Sequence, residues 1–178
     1  MIASLENPYY LEMVKLRKFQ LKKYFIDYIY LFDDRKDSFY TPEENRDLFF
    51  KKPIESNHLN PHMILKFLKG IALIDENKYD FILRVNLSTF INFPLLYSKL
   101  NDLPEKKLFA GHVKFNDPNE IDNTQKMIWG TFMIFSPNCI TYLKTIDTVT
   151  YPKEFNLIND DMMLSTLLLK YTNFYHIP

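Results

Sequence analysis

Strand-length apolar runs alternating with segments of helical period constrain this chain more than any other feature of its sequence. The runs are 26–32 (IDYIYLF), 79–85 (YDFILRV), 108–113 (LFAGHV), 129–135 (WGTFMIF) and 174–177, preceded by a strand stub at 1–4. Between them lie helical segments. Residues 9–23 space apolar Leu11, Val14, Leu16, Phe19 and Leu21 among Lys and Arg, and the segment from Asn60 has a cap followed by Pro61 at the first helical position. Further helices are expected over 92–100, over 136–145 behind Ser136-Pro137, and over 160–170. The nearly continuous apolar run 79–85 suits a strand buried on both faces, and 38–60 and 114–127 read as polar loops. Strands separated by helices predict a layered α/β fold with a mainly parallel central sheet flanked by helices.

The 178 residues suffice for one domain and its core, so a single domain is expected. Lys plus Arg and Asp plus Glu balance at 22 each, so no global field draws the chain to nucleic acid or an anionic surface. Tyr24, Tyr28 and Tyr30 beside Lys22 and Lys23 belong to no nucleic-acid motif, and no such partner is expected. No apolar run approaches the roughly 20 residues of a membrane span, and no signal peptide or anchor is evident. The single Cys139 fits a reducing compartment and, at an apolar-facing helical position, reads as core. A cytoplasmic setting follows as the expectation. The clipped first strand and the abrupt end at His176-Ile177-Pro178 suggest a domain truncated at both ends.

Chemistry concentrates where the run 79–85 ends. In open α/β sheets ligands bind outside the carboxyl ends of strands, which places Arg84, Asn86, Ser88 and Thr89 where a ligand would be met. Taken alone, the window reads first as a strand closing in a polar turn. Its register, Arg84-Val85-Asn86-Leu87-Ser88-Thr89-Phe90-Ile91-Asn92, resembles that of the β-1,3-galactosyltransferase/fringe family, where a strand ends in Lys, one residue, three aspartates, one residue and Phe-Val-Asn. The resemblance implies a GT-A fold and an inverting glycosyltransferase using a nucleotide sugar, a UDP-sugar by family habit. In the family the aspartates hold a divalent cation, Mn or Mg, against the donor's diphosphate. Here they are Asn86, Leu87 and Ser88, so a cation, if held, would have only the neutral oxygens of Asn86 and Ser88, which weakens the case for a tight metal site.

Two further blocks follow the same order. Upstream, Glu55-Ser56-Asn57 and Ile64-Leu65-Lys66 match the family loosely and place Lys66 near the diphosphate, although a solvated helix lysine would read the same. Without a metal, Arg84 and Lys66 are the nearest cations to neutralise phosphate. Downstream, Phe109-Ala110-Gly111-His112-Val113 and Trp129-Gly130-Thr131-Phe132-Met133-Ile134-Phe135-Ser136 correspond to the family's glycine-bearing strands, with Trp129, Gly130 and Thr131 on the acceptor side. Asp160-Asp161 then matches an acidic pair opening a helix. Asp161 resembles the catalytic base and Asp160 its neighbour or orienter, although acids at a helix start are favoured by capping and dipole alone. By the same resemblance the first strand-to-helix loop brings Ser4, Asn7 and Tyr10 to the donor's base and ribose.

The expected partners are therefore a nucleotide-sugar donor and a glycan or protein hydroxyl acceptor, in a cytosolic enzyme of microbial or viral kind. Two alternatives stand beside this one. The chain could be a GT-A-fold binding or assembly module that lost catalysis with its aspartates, or an unrelated α/β domain whose matches are chance.

Overall fold

The computed structural model describes residues 2–3, 8–33, 47–50, 59–115, 126–146 and 160–177. They group into two compact units, one of Met1–Glu55 with Val85–Asp102 and the other of Ser56–Arg84 with Leu103–Pro178. The architecture is mixed α/β and partly parallel.

Unit 1 is built on a three-stranded parallel sheet in the order β1 (Ile2–Ala3), β2 (Tyr30–Asp33), β3 (Asp47–Phe50). Helix α1 spans Pro8–Lys23 and α3 spans Phe93–Leu100. Asn92 caps α3, its Oδ1 accepting from the Leu95 N–H at 3.2 Å, and Pro94 sits in the first turn, as the sequence signals. The core collects Val14, Leu21, Tyr30, Phe32, Leu87, Ile91 and Phe93, with the Tyr30 and Phe32 rings stacked 5.5 Å apart. The face of α1 differs from the expected one. Leu16 and Phe19 are exposed, whereas Arg17 and Lys18 are buried. Long aliphatic stems allow this when the charged heads find ligands: Arg17 donates to the Thr89 carbonyl, and the Lys18 amine lies 5.3 Å from the Tyr30 ring centre.

Unit 2 carries a four-stranded sheet in the order β4 (Ile82–Val85, whose last residue belongs to unit 1), β6 (Lys126–Phe135), β5 (Leu108–Phe115), β7 (Asn173–His176). Strands β5 and β7 run parallel, but β5 and β6 are antiparallel, which corrects the expectation of one mainly parallel sheet. The reason lies in the connection: parallel neighbours need a crossover of a dozen or more residues, usually a helix, and the polar stretch joining β5 to β6 has none of a helix's periodicity. Helices α2 (Leu59–Ile71), α4 (Pro137–Lys144) and α5 (Asp160–Leu169) bury Ile64, Phe67, Ile71, Cys139, Ile140, Met163 and Leu164 with Phe109, Ile128, Met133 and Phe135 of the sheet. The Phe109 and Phe135 rings stack at 5.0 Å, and Phe174 meets Phe109 edge-on at 5.1 Å. Cys139 is core, as expected; burial pushes its thiol pKa up, against the pull of its contacts with Ser136 and Thr172.

One irregularity shapes this sheet. Gly111 pairs with Met133 and Val113 with Ile128, so residues 129–132 of β6 lie against His112 alone. Bulges of this kind re-aim side chains and free backbone groups from the ladder. Gly111 makes it possible: a Cβ there would stand 2.5 Å from Ile128 Cγ2 and 2.6 Å from the Phe132 carbonyl oxygen.

Candidate functional site

In unit 2, three sequence-separated motif segments meet at the start of α5. Arg84 leaves β4 with 3 % of its surface exposed, and its Nη2 donates to Asp160 Oδ2 in an ion pair. The guanidinium also lies over the Phe67 ring, 5.5 Å from its centre, and Nη1 donates to Met133 Sδ at 3.5 Å. Nε is buried without a partner. A buried Arg and carboxylate stabilise each other only as a pair, so Arg84 holds Asp160 firmly against the head of α5.

Asp161, the next residue, is 8 % exposed. Its Oδ2 accepts from the Gly130 N–H at 3.3 Å, within the irregular stretch of β6, and its Oδ1 accepts from the Met162 N–H at 2.9 Å. Each oxygen keeps a lone pair, so the carboxylate is oriented without being exhausted. Negative charge in a helix's first turn is further favoured by the dipole, by about 0.3–1 kcal/mol. Gly130 is fitted to this contact: a Cβ would lie 3.2 Å from Asp161 Cβ, closer than ordinary packing, with Arg84 Nη1 at an ordinary 3.7 Å, so a side chain there presses on Asp161.

Unit 1 contains the turn Asn86–Thr89, which the sequence resemblance set against three aspartates. The Thr89 N–H donates to the Asn86 carbonyl at 3.1 Å, closing Asn86 to Thr89. Leu87 is buried, Ser88 is exposed, and the half-buried Asn86 has a shielded Oδ1 with no hydrogen-bond partner. Arg17 reaches this turn through the Thr89 carbonyl. A hard divalent cation takes six or more oxygens, carboxylates among them. Two neutral oxygens and a leucine are a poor match for tightly held Mn or Mg. Among the described residues, no group of three or more His, Cys, Asp and Glu side chains is placed to hold a metal.

The structure thus brings Arg84, Gly130, Asp160 and Asp161 together. The side chains of Trp129 and Thr131 are exposed, unlike buried Gly130 between them, and alternation along β6 turns Trp129 toward His112, at 6.1 Å between ring centres, rather than toward Asp161. Lys66 is fully buried on α2, which removes the solvated-lysine alternative. Tyr10 is half-buried in α1, and Ser4 and Asn7 lie outside the described residues. Arg17 was missed by sequence reasoning, because a Lys/Arg-rich helix face normally points to water. Its neighbours Leu16 and Phe19 would have had to be recognised as the exposed positions.

Among the described residues no helix is long and apolar enough to cross a membrane. No protein-family model matches the chain, and no curated protein matches it either.

Proposed function

We propose that the chain is an inverting glycosyltransferase of the GT-A kind, similar to the β-1,3-galactosyltransferase/fringe family. It would transfer a sugar from a nucleotide sugar, a UDP-sugar on this reading, to a hydroxyl of a glycan or protein. The observation that supports it most is the meeting of Arg84, Gly130 and the Asp160-Asp161 pair, three segments matched to the family in order and gathered at one helix start. In the proposed step Asp161 takes the proton of the acceptor hydroxyl as that oxygen bonds to the anomeric carbon. The bond from that carbon to the diphosphate oxygen breaks on the opposite face, and its electron pair leaves with the nucleoside diphosphate. One carboxylate suffices for an inverting displacement. The Gly130 and Met162 N–H groups aim it, and Asp160, held by Arg84, acts as a positioning residue.

Asp161→Asn keeps only one of the two backbone contacts, since its amide oxygen alone can accept an N–H, and it cannot take the proton. Transfer, read as release of nucleoside diphosphate, should fall about 100-fold or more while the circular dichroism spectrum stays that of the parent and the stability to unfolding drops by no more than the roughly 1–3 kcal/mol of one unmatched N–H. Retained transfer would remove Asp161 as the base.

A second reading has an observation of its own. Both oxygens of Asp161 accept backbone N–H groups and Asp160 is neutralised by Arg84, an arrangement that also serves a purely structural helix start. A GT-A-fold binding or assembly module would bind a nucleoside diphosphate sugar without releasing the sugar.

A further inference from the structure

Unit 1 contains a buried cation whose bonding is incomplete. Arg17 is 6 % exposed; Nη2 donates to the Thr89 carbonyl, and the shielded Nη1 has no hydrogen-bond partner. A desolvated guanidinium ordinarily sits against a carboxylate or a bound anion, since unpaired burial is costly. Among the described buried residues of unit 1 there is no Asp or Glu, and the adjacent one on α1 is another cation, Lys18. Burial draws the Arg17 pKa below its ordinary value, with Tyr30 acting in the opposite sense.

A second incomplete group lies on the same turn. Asn86 Oδ1 is buried without a partner, and Asn86 is tied through its own carbonyl to Thr89, the residue whose carbonyl engages Arg17. A side-chain amide can offer either oxygen or NH2 to a ligand, so Asn86 can serve as a donor to an anion. Ser88, exposed on the turn, adds a hydroxyl.

We propose that Arg17, with Asn86 and Ser88 of the adjoining turn, forms an oxyanion site that takes a diphosphate group directly, without a metal ion. The charge logic inverts that of an aspartate turn. Carboxylates repel a diphosphate and need a divalent cation between them, whereas a neutral turn backed by a guanidinium meets phosphate oxygens with charge-assisted hydrogen bonds. The site lies wholly within unit 1. Inorganic pyrophosphate and a nucleoside diphosphate share the recognised chemistry; that the natural source is a sugar donor rests on the function proposed above.

The test is calorimetric titration of the full chain with pyrophosphate, UDP and uridine in EDTA, and with UDP plus manganese. Pyrophosphate and UDP should bind in EDTA and uridine should not. Arg17→Met should weaken both anions about 10- to 100-fold, and Arg17→Lys should recover part of the loss. Absence of pyrophosphate and UDP binding to the parent chain in EDTA overturns the site, whether or not Arg17→Met folds. Equal anion affinity in a folded Arg17→Met chain, or UDP binding that requires manganese, overturns it as well. Pyrophosphate binding through Arg17 without sugar transfer keeps the site and removes the glycosyltransferase. Transfer with unchanged UDP affinity in Arg17→Met does the reverse.

Discussion

Phe25 occupies a backbone position that ordinarily belongs to glycine. Helix α1 closes with the Ile26 N–H donating to the Leu21 carbonyl at 2.9 Å and the Phe25 N–H to that of Lys22 at 3.2 Å, the double closure of a Schellman cap. Phe25 holds φ at 54° with 97 % of its surface exposed, so its ring contributes almost no packing against the left-handed strain. Removing the Cβ relieves about 1–2 kcal/mol of that strain and adds roughly 0.5–1 kcal/mol of unfolded-chain entropy. Phe25→Gly is therefore expected to stabilise the protein by up to about 1.5 kcal/mol in urea denaturation, and a lower midpoint would contradict this. The same scale shows where sequence reading reached its limit. Asp160 and Asp161 were legible because an acidic pair at a helix start has a fixed place along the chain. Arg17 was not, because its burial depends on a carbonyl 72 residues away.

At the scale of elements, the 3₁₀ turn Glu76–Lys78 is fastened to α4 by a small charged network. Lys144 donates to Glu76 Oε2 and, at 2.5 Å, to the Ile74 carbonyl; Thr141 donates to Glu76 Oε1 at 2.8 Å. The Lys144 hydrogen bond, ahead of those from the Glu76 backbone and Thr141, brings the Glu76 pKa down from 4.5 to about 2, against the opposing effect of burial. A depressed carboxylate pKa means stability that is fully present above the unfolded value and is lost as pH falls through the folded one. Glu76→Gln should cost about 1–2 kcal/mol at neutral pH, and the gap between parent and variant should close between pH 5 and pH 2. A gap unchanged over that range in denaturant titrations would contradict the assignment. Most elements were readable from sequence: Asn92-Phe93-Pro94 placed α3, Ser136-Pro137 placed α4 although the Ser136 hydroxyl accepts from the Leu108 N–H instead of capping the helix, and apolar runs placed β4 to β7. The strand β3 was not, since a three-residue Leu48-Phe49-Phe50 run inside polar sequence gains its extended form from pairing with β2. Nor was the antiparallel β5–β6 pair, although the polar stretch between those strands already disfavoured a crossover.

For the whole molecule, equal numbers of acidic and basic residues give no global field, and the two proposals rest on buried charge in two places. One is the Arg84, Asp160 and Asp161 constellation of unit 2, the other the incompletely bonded Arg17 of unit 1. The resemblance in sequence order concerns both, since it placed Asp161 as base and the Asn86–Ser88 positions at the diphosphate. Inversion at the sugar is the chemical signature that a single-base displacement must leave. The most direct measurement is proton NMR of the product formed from an α-linked UDP-sugar and a glycan hydroxyl acceptor. The account predicts a β-linked product accompanied by UDP; an α-linked product, or no UDP release from any sugar nucleotide offered, would contradict it.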